Sequence, residues 1–179
     1  PPATTGNRLC HREIPTKNSH QHSHAHDPAP PTPVADETGV EAFFPDFGLA
    51  AYTPDGKDRW DLPLAPLKNF YGMASSPIVA GDLLVLVCDQ QSGSFLLALD
   101  RQTGRQGSIT VRGGAGLGWA TPMVYRPTEG PAQLILPGPT GLYSPHLATG
   151  DTPWRMPPAP AGTLAPPAAG EAAPAGSPL

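Results

Sequence analysis

The sequence predicts an all-β chain assembled from a repeated unit of short strands. Three observations carry this expectation. The apolar runs are too short for helices, turn signals rich in Gly, Asp and Pro separate them, and two independent markers recur with one period in the mid-forties.

The first unit shows its strand as "VEAFF", Val40 to Phe44, an aromatic-rich run that "PDG" at 54–56 follows. In the second unit, "LLVLVC" runs from Leu83 to Cys88 and is apolar on both faces. A six-residue run of this kind fits a strand buried on both sides, whereas a helix wants about ten residues or more. "FLLAL" at 95–99 and "AQLILP" at 132–137 read the same way, with "AGD" at 80–82, "QSG" at 91–93 and "TG" at 103–104 and 149–150 as turns. No segment carries the periodicity of an amphipathic helix.

The period comes from two markers. Turn glycines Gly56, Gly104 and Gly150 lie 48 and 46 residues apart, and "TPV" at Thr32, "SPI" at Ser76 and "TPM" at Thr121 lie 44 and 45 apart. A period in the mid-forties with four short strands per unit is the signature of a β-propeller blade. The middle unit spells the four strands out as "SSPIVA", "LLVLVCD", "SFLLALD" and "RQGSITV". Sheets packed between neighbouring sheets explain why the inner strands are apolar on both faces. The marker occurs once more in "TTGNRLC", where Gly6 lies 50 residues before Gly56. The expected fold is therefore a partial propeller of about three four-stranded blades plus one leading strand. Residues 1–17 are the last strand of a preceding blade, 18–31 a His/Pro-rich linker, 32–156 the blades (about 32–70, 74–112 and 119–156), and 157–179 a disordered Pro/Ala-rich tail. The linker and tail hold too little apolar surface to offset the entropy of ordering them.

Composition excludes several classes of function. Pro and Gly make up about a quarter of the 179 residues, and the net charge of -4 leaves no basic surface for nucleic acid. No apolar run is long enough for a membrane-spanning helix. Cys10 and Cys88 form no metal-type spacing and leave the redox compartment open. The N-terminal stretch has no basic region leading into an apolar one, so no signal peptide is expected in this chain, and the missing initiator Met suggests a start inside a longer protein.

Four residues after each turn glycine stand Cys10, Trp60, Ser108 and Trp154. The pattern A-x-D-x-x-T-G-x-x-x-W resembles the tryptophan-docking motif of the pyrroloquinoline-quinone-type (quinoprotein-like) propeller repeats. Ala98, Asp100, Thr103 and Gly104 match it while Ser108 departs. Ala148, Thr149, Gly150 and Trp154 match it in the last unit, with His146 and Leu147 at the strand end, and Tyr52, Asp55, Gly56 and Trp60 lie on it in the first. The resemblance covers residues 4–15 and about 32–156. A Trp at the end of an outer strand buries about 150–250 Å² and brings one N–H that needs a partner, so the motif reads as a clasp between blades rather than a catalytic device. Ser108 lacks that volume, which predicts a weaker junction after the second blade unless Trp119 or the loop "RGGAGLG" fills it.

The family implied by the resemblance divides into quinoprotein dehydrogenases and non-enzymatic scaffolds, the latter including an outer-membrane assembly lipoprotein of bacteria. The enzymes imply a quinone clamp, often of two adjacent cysteines, and a calcium cage of Glu, Asn and Asp. This chain has no adjacent Cys pair, and its asparagines are only Asn7, Asn18 and Asn69. The expectation is a non-enzymatic scaffold or binding module with no catalytic, cofactor or metal residues. Its partner would be a protein or further propeller blades, and self-association through open blade faces is an added possibility. The resemblance implies an extracytoplasmic location. The alternatives are a fragment of a quinone- and calcium-dependent dehydrogenase, or a cut piece without function.

Three stretches invite sharper readings. His20, His22, His24 and His26 alternate and would share one side of an extended chain, yet Pro and Ser flank them and no second ligand type stands at fixed spacing. A solvated linker that picks up metal adventitiously is the plainer account, against a metal site in use. Gly113 to Gly118 fails the G-x-G-x-x-G spacing and leads into Pro122 and Pro127, so it reads as an inter-blade loop. Asp46, Asp55, Asp58, Asp61, Asp82, Asp89, Asp100 and Asp151 are scattered, mostly in turns, where Asp bonds its own backbone.

Overall fold

The computed structural model describes residues 6, 8, 10–14, 31–64, 66–113, 116–138, 141–146, 152 and 154–158. These residues contain strands and turns and no helix, in three four-stranded antiparallel sheets. Blade 1 comprises β1 (Val34–Asp36), β2 (Gly39–Phe44), β3 (Gly48–Tyr52) and β4 (Asp58–Pro63). Blade 2 comprises β5 (Ile78–Ala80), β6 (Leu83–Cys88), β7 (Phe95–Asp100) and β8 (Gln106–Val111). Blade 3 comprises β9 (Met123–Tyr125), β10 (Gln133–Gly138), β11 (Gly141–Ser144) and β12 (Trp154–Met156). Within each sheet every strand pairs with its neighbour in sequence, so each blade is a simple meander. The same irregularity recurs in β3 between Ala51 and Tyr52 and in β7 between Ala98 and Leu99, just before the third-to-fourth strand turn.

The two-sided burial expected of "LLVLVC" has a direct cause. Leu84, Leu86 and Cys88 join Leu97 and Leu99 in one cluster with Phe43 and Leu49 of blade 1. Val85 and Val87 join Leu96 and Ala98 in another with Leu134 and Leu136 of blade 3. Side chains alternate across a strand, so one continuous apolar run supplies both junctions. Each fully buried Leu or Val contributes roughly 1.5–3 kcal/mol, which makes blade 2 the hydrophobic centre of the molecule. Cys88 lies inside this core, and burial pushes its thiol pKa well above the ordinary range.

Both sequence markers turn out to be junction devices. The amide N–H of Thr32 donates to Ser76 Oγ at 2.8 Å, and that of Ser76 donates to Thr121 Oγ1 at 3.0 Å. The Ser/Thr-Pro positions thus hand one hydrogen bond from blade to blade. The turn glycines receive the clasp. Gly104 has φ 69°, and a Cβ there would stand 2.6 Å from Trp60 Cδ2. Trp60 Nε1 donates to the Arg101 carbonyl at 2.9 Å. Cys10 sits on Gly56 in the same way, with its Sγ 2.7 Å from where a Cβ would be. The leading segment departs from expectation in one respect: its described residues Cys10 to Ile14 carry no strand pairing. A last strand ladders onto a third, and among the described residues no third strand lies beside it; the segment is held instead by Cys10 on Gly56 and by Arg12 at 3.6 Å from Asp58.

The His run, Asp151, Gly150 and residues 159–179 lie outside the described residues, as does most of residues 1–31.

Candidate interaction surface

Because each blade is a meander, its turns fall at two ends. The second-to-third strand turns and the linkers between blades share one end. There the linker after β4 carries Phe70 and Tyr71, and the linker after β8 carries Trp119. These aromatics are 56%, 45% and 44% exposed, where a hydrophobic side chain would ordinarily be covered. They form one group. The Tyr71 ring stands edge-on to Phe70 at 5.4 Å between centroids and to Trp119 at 6.1 Å.

A buried polar network holds the group in place. Trp119 Nε1 donates to the Gly72 carbonyl at 3.1 Å, and Gly72 N–H donates to the Asn69 carbonyl at 3.0 Å. Asn69 is buried: its Oδ1 accepts the Tyr71 N–H at 3.1 Å and its Nδ2 donates to the Asp89 carbonyl at 3.3 Å. The turn after β6 locks to the same linker, since Lys68 N–H donates to Gln90 Oε1 at 2.7 Å and Gln91 N–H to the Lys68 carbonyl at 2.8 Å. The Asp89 carboxylate accepts from Arg112 Nε at 2.7 Å and Nη2 at 3.1 Å, a two-point pairing between two buried side chains. Gly118 must stay side-chain-free, because a Cβ there would meet Asp89 Oδ2 at 2.6 Å; this lets the chain pass Asp89 and present Trp119.

Arg112 also spans the second junction. Its guanidinium carbon lies 5.5 Å from the centre of the Tyr143 ring of blade 3, a cation–π contact. Trp119 therefore does not fold back toward Ser108; its indole is committed to Gly72 and Tyr71.

The first junction holds a second charged network. Arg101 of blade 2 is buried and donates to Asp36 of blade 1 at 2.6 and 2.9 Å and to Glu41 at 2.9 Å. Glu41 is fully buried and pairs with Arg59 as well. Hydrogen bonds from Arg101, and then from Thr38, hold the Asp36 carboxyl well below the usual carboxylate range. Arg101 of blade 2 thus bonds Asp36 and Glu41 of blade 1, so the network serves assembly of the blades.

The carboxylates singled out from sequence separate by environment. Asp55 and Asp100 are turn formers, accepting from Thr53 Oγ1 and from both the N–H and Oγ1 of Thr103. The Lys57 ammonium, then Thr53, hold Asp55 down to about 2. Asp89 is the exception, a buried ion-pair member whose carbonyl and carboxylate both support the aromatic group. The reading from sequence passed over Phe70, Tyr71, Asp36, Glu41 and Arg101. Glu41 carried a usable signal, being an acid on the inward side of "GVEAFF". Among the described residues no group of three His, Cys, Asp or Glu side chains is placed to hold a metal ion.

This arrangement of meander sheets joined by clasps defines part of a β-propeller. The chain is similar to the crystal structure of BamB from Moraxella catarrhalis, with a TM-score of 0.51 and 16% identity over 67% of this chain. It spans 33% of the length of that chain. The likeness extends to the fold. No protein-family model matches the sequence, and no curated protein matches it.

Proposed function

We propose that this chain is a non-enzymatic propeller scaffold whose loop end binds a protein partner through Phe70, Tyr71 and Trp119. One observation carries the reading: three large aromatics are held in solvent by a buried network of Asn69, Asp89, Gln90 and Arg112. Burying polar groups to fix exposed apolar ones costs stability, and recognition is the return on that cost. Trp and Tyr are the residues that most often dominate binding energy at interfaces. The location that goes with this reading is extracytoplasmic, by resemblance of the repeats.

Photo-crosslinking tests it. A benzoylphenylalanine at position 71 should trap a defined protein, and Trp119→Ser should abolish trapping. The same probe at Gln102, exposed in a turn at the opposite end, should trap nothing. Equal trapping at both positions would refute a loop-end site. Separately, turnover of alcohols or sugars after addition of quinone and calcium, lost on chelation, would refute the non-enzymatic part and favour a quinoprotein dehydrogenase.

A further inference from the structure

The outer strand of each blade is an edge of its sheet, and the three edges are not alike. An edge strand carries unpaired backbone N–H and C=O groups, which charges, Pro or short length ordinarily keep from pairing with another chain. β4, "DRWDLP", carries Asp58, Arg59 and Asp61 and ends in Pro63. β12, "WRM", has three residues and carries Arg155. β8, "QGSITV", has six residues and neither a charge nor a Pro. It belongs to blade 2, whose two faces are covered by blades 1 and 3, so this edge is open although its neighbours are in place.

Register fixes what the edge offers. Arg112 N–H donates to the Ser94 carbonyl at 2.8 Å, so the residues in phase with it along the β7–β8 ladder, Thr110 and Ser108, turn their N–H and C=O groups toward β7. Those of Ile109 and Val111 point away, and no strand of the sheet lies beyond them. The side chains of the same two residues are 48% and 77% exposed. They stand across from Leu97 and Phe95, on the side facing blade 1, where Leu62 and Leu64 flank the same apolar cluster. Thr110 stands across from Leu96, on the side facing blade 3. Blade 3 turns a cation to that side: Arg155 is across from Tyr143, which packs against the blade 2 cluster. Arg155 is exposed, and among the described residues no acid pairs with it.

We infer that β8 accepts an added antiparallel strand from a partner protein, one in which apolar residues over Ile109 and Val111 alternate with acidic residues facing Arg155. A row of outward N–H and C=O groups at strand spacing is matched by extended backbone, which supplies the affinity, while alternate side chains supply the specificity. The two sides of β8 set that alternation, apolar toward Leu62 and Leu64 and cationic toward blade 3. Facing sheets stand about 10 Å apart, within the combined reach of an Arg and a Glu side chain. The inference is independent of the loop-end reading, since it uses the outer rim of blade 2 and none of the three aromatics.

Fluorescence anisotropy of a dye-labelled peptide of four Val-Glu repeats, titrated with the full chain, tests it. The peptide should bind saturably, although the net charge of -4 on the chain disfavours nonspecific capture of an acidic ligand. In an antiparallel addition the Val amides face β8 and the Glu amides face away. N-methylation of the Val residues should therefore weaken binding at least about tenfold, and N-methylation of the Glu residues should leave it unchanged. Ile109→Lys and Arg155→Glu should each weaken it by a similar factor. Both side chains are exposed, and unchanged circular dichroism would confirm folding. Arg155→Glu should in turn bind a peptide of four Val-Lys repeats that the parent rejects. Absence of saturable binding up to about 1 mM would overturn the inference. So would binding that survives methylation of the Val amides, binding equal in both variants and the parent, or an Arg155→Glu chain that does not exchange its preference of peptide.

Discussion

Replacing Arg101 with Met removes the guanidinium at the first junction and little else. Met keeps most of the aliphatic stem, and the backbone carbonyl that accepts the Trp60 N–H is unchanged. What disappears are the two hydrogen bonds to Asp36 and the one to Glu41. Asp36 lies at the surface and can return to water. Glu41 cannot, because it is fully buried, and it keeps only Arg59. Breaking a buried ion pair by deleting one member costs about 3–5 kcal/mol, since the remaining charge stays desolvated. The retained Arg59 places the expected loss near the lower end, about 3 kcal/mol, which is roughly a hundredfold in the folding equilibrium. The measurement is a urea titration of the parent and Arg101→Met followed by circular dichroism. Glu41→Leu combined with Arg101→Met should be less destabilised than the sum of the two single variants, because the stranded charge is gone. If Arg101→Met melts within about 0.5 kcal/mol of the parent, these charges behave as a surface network and the reasoning fails.

Two other outcomes follow from the same geometry. Gly104→Ala should destabilise more than Gly93→Ala in thermal melts: both glycines have positive φ, but only at Gly104 does the new Cβ strike an indole, while the nearest atom at Gly93 is 3.9 Å away. The difference of the pair, about 1–3 kcal/mol, isolates the clasp from backbone strain. Acid should also loosen the fold in a defined window. Asp36, Asp55 and Asp100 are held below the ordinary carboxylate pKa by Arg101, Lys57 and Thr103 respectively, so their contribution is present above pH about 4 and is lost as the pH falls toward about 2. A pH series of melting temperatures should fall across that range, and Asp55→Asn should make the fall shallower.

The strands of blade 2 were readable because local pattern and tertiary role coincide there. "LLVLVC" is apolar at every position, and both of its faces are buried by neighbouring sheets. The turn-glycine period was readable for a similar reason: positive φ admits Gly almost alone, so a structural need leaves one letter in the sequence. The Ser/Thr-Pro period was visible, but its meaning was not, since a hydrogen bond from Thr32 to Ser76 joins residues of two different units. The charged network was hidden by the same separation. Asp36 and Arg101 are 65 residues apart, and nothing in the turn "DRQTG" marks Arg101 as buried. Phe70, Tyr71 and Trp119 were illegible as a surface because two linkers, each irregular, bring them together only after the blades have stacked.

Asp89 ties blade assembly to the proposed recognition surface, and this gives the most discriminating test of both. Where the first junction has an indole on Gly104, the residue four places after Gly104 is Ser108, which carries no indole. Four residues later Arg112 makes the crossing instead, reaching the Tyr143 ring while Asp89 neutralises it. The same Asp89 accepts Asn69 through its carbonyl and packs on Gly118, so it also sets the two linkers that carry the aromatic group. Asp89→Asn keeps the shape and the backbone carbonyl but removes the charge, leaving the buried Arg112 guanidinium without its counter-ion. The expected loss is about 3–5 kcal/mol by the buried-pair argument. Asp89→Asn should also weaken crosslinking from position 71, although it touches none of the three aromatics directly, because Arg112 and Gly118 would shift together. Arg112→Gln is the matching perturbation from the other side. If either variant lowers stability while leaving crosslinking unchanged, the aromatic group is held by the Asn69 turn alone, and the second junction and the recognition surface are separate devices.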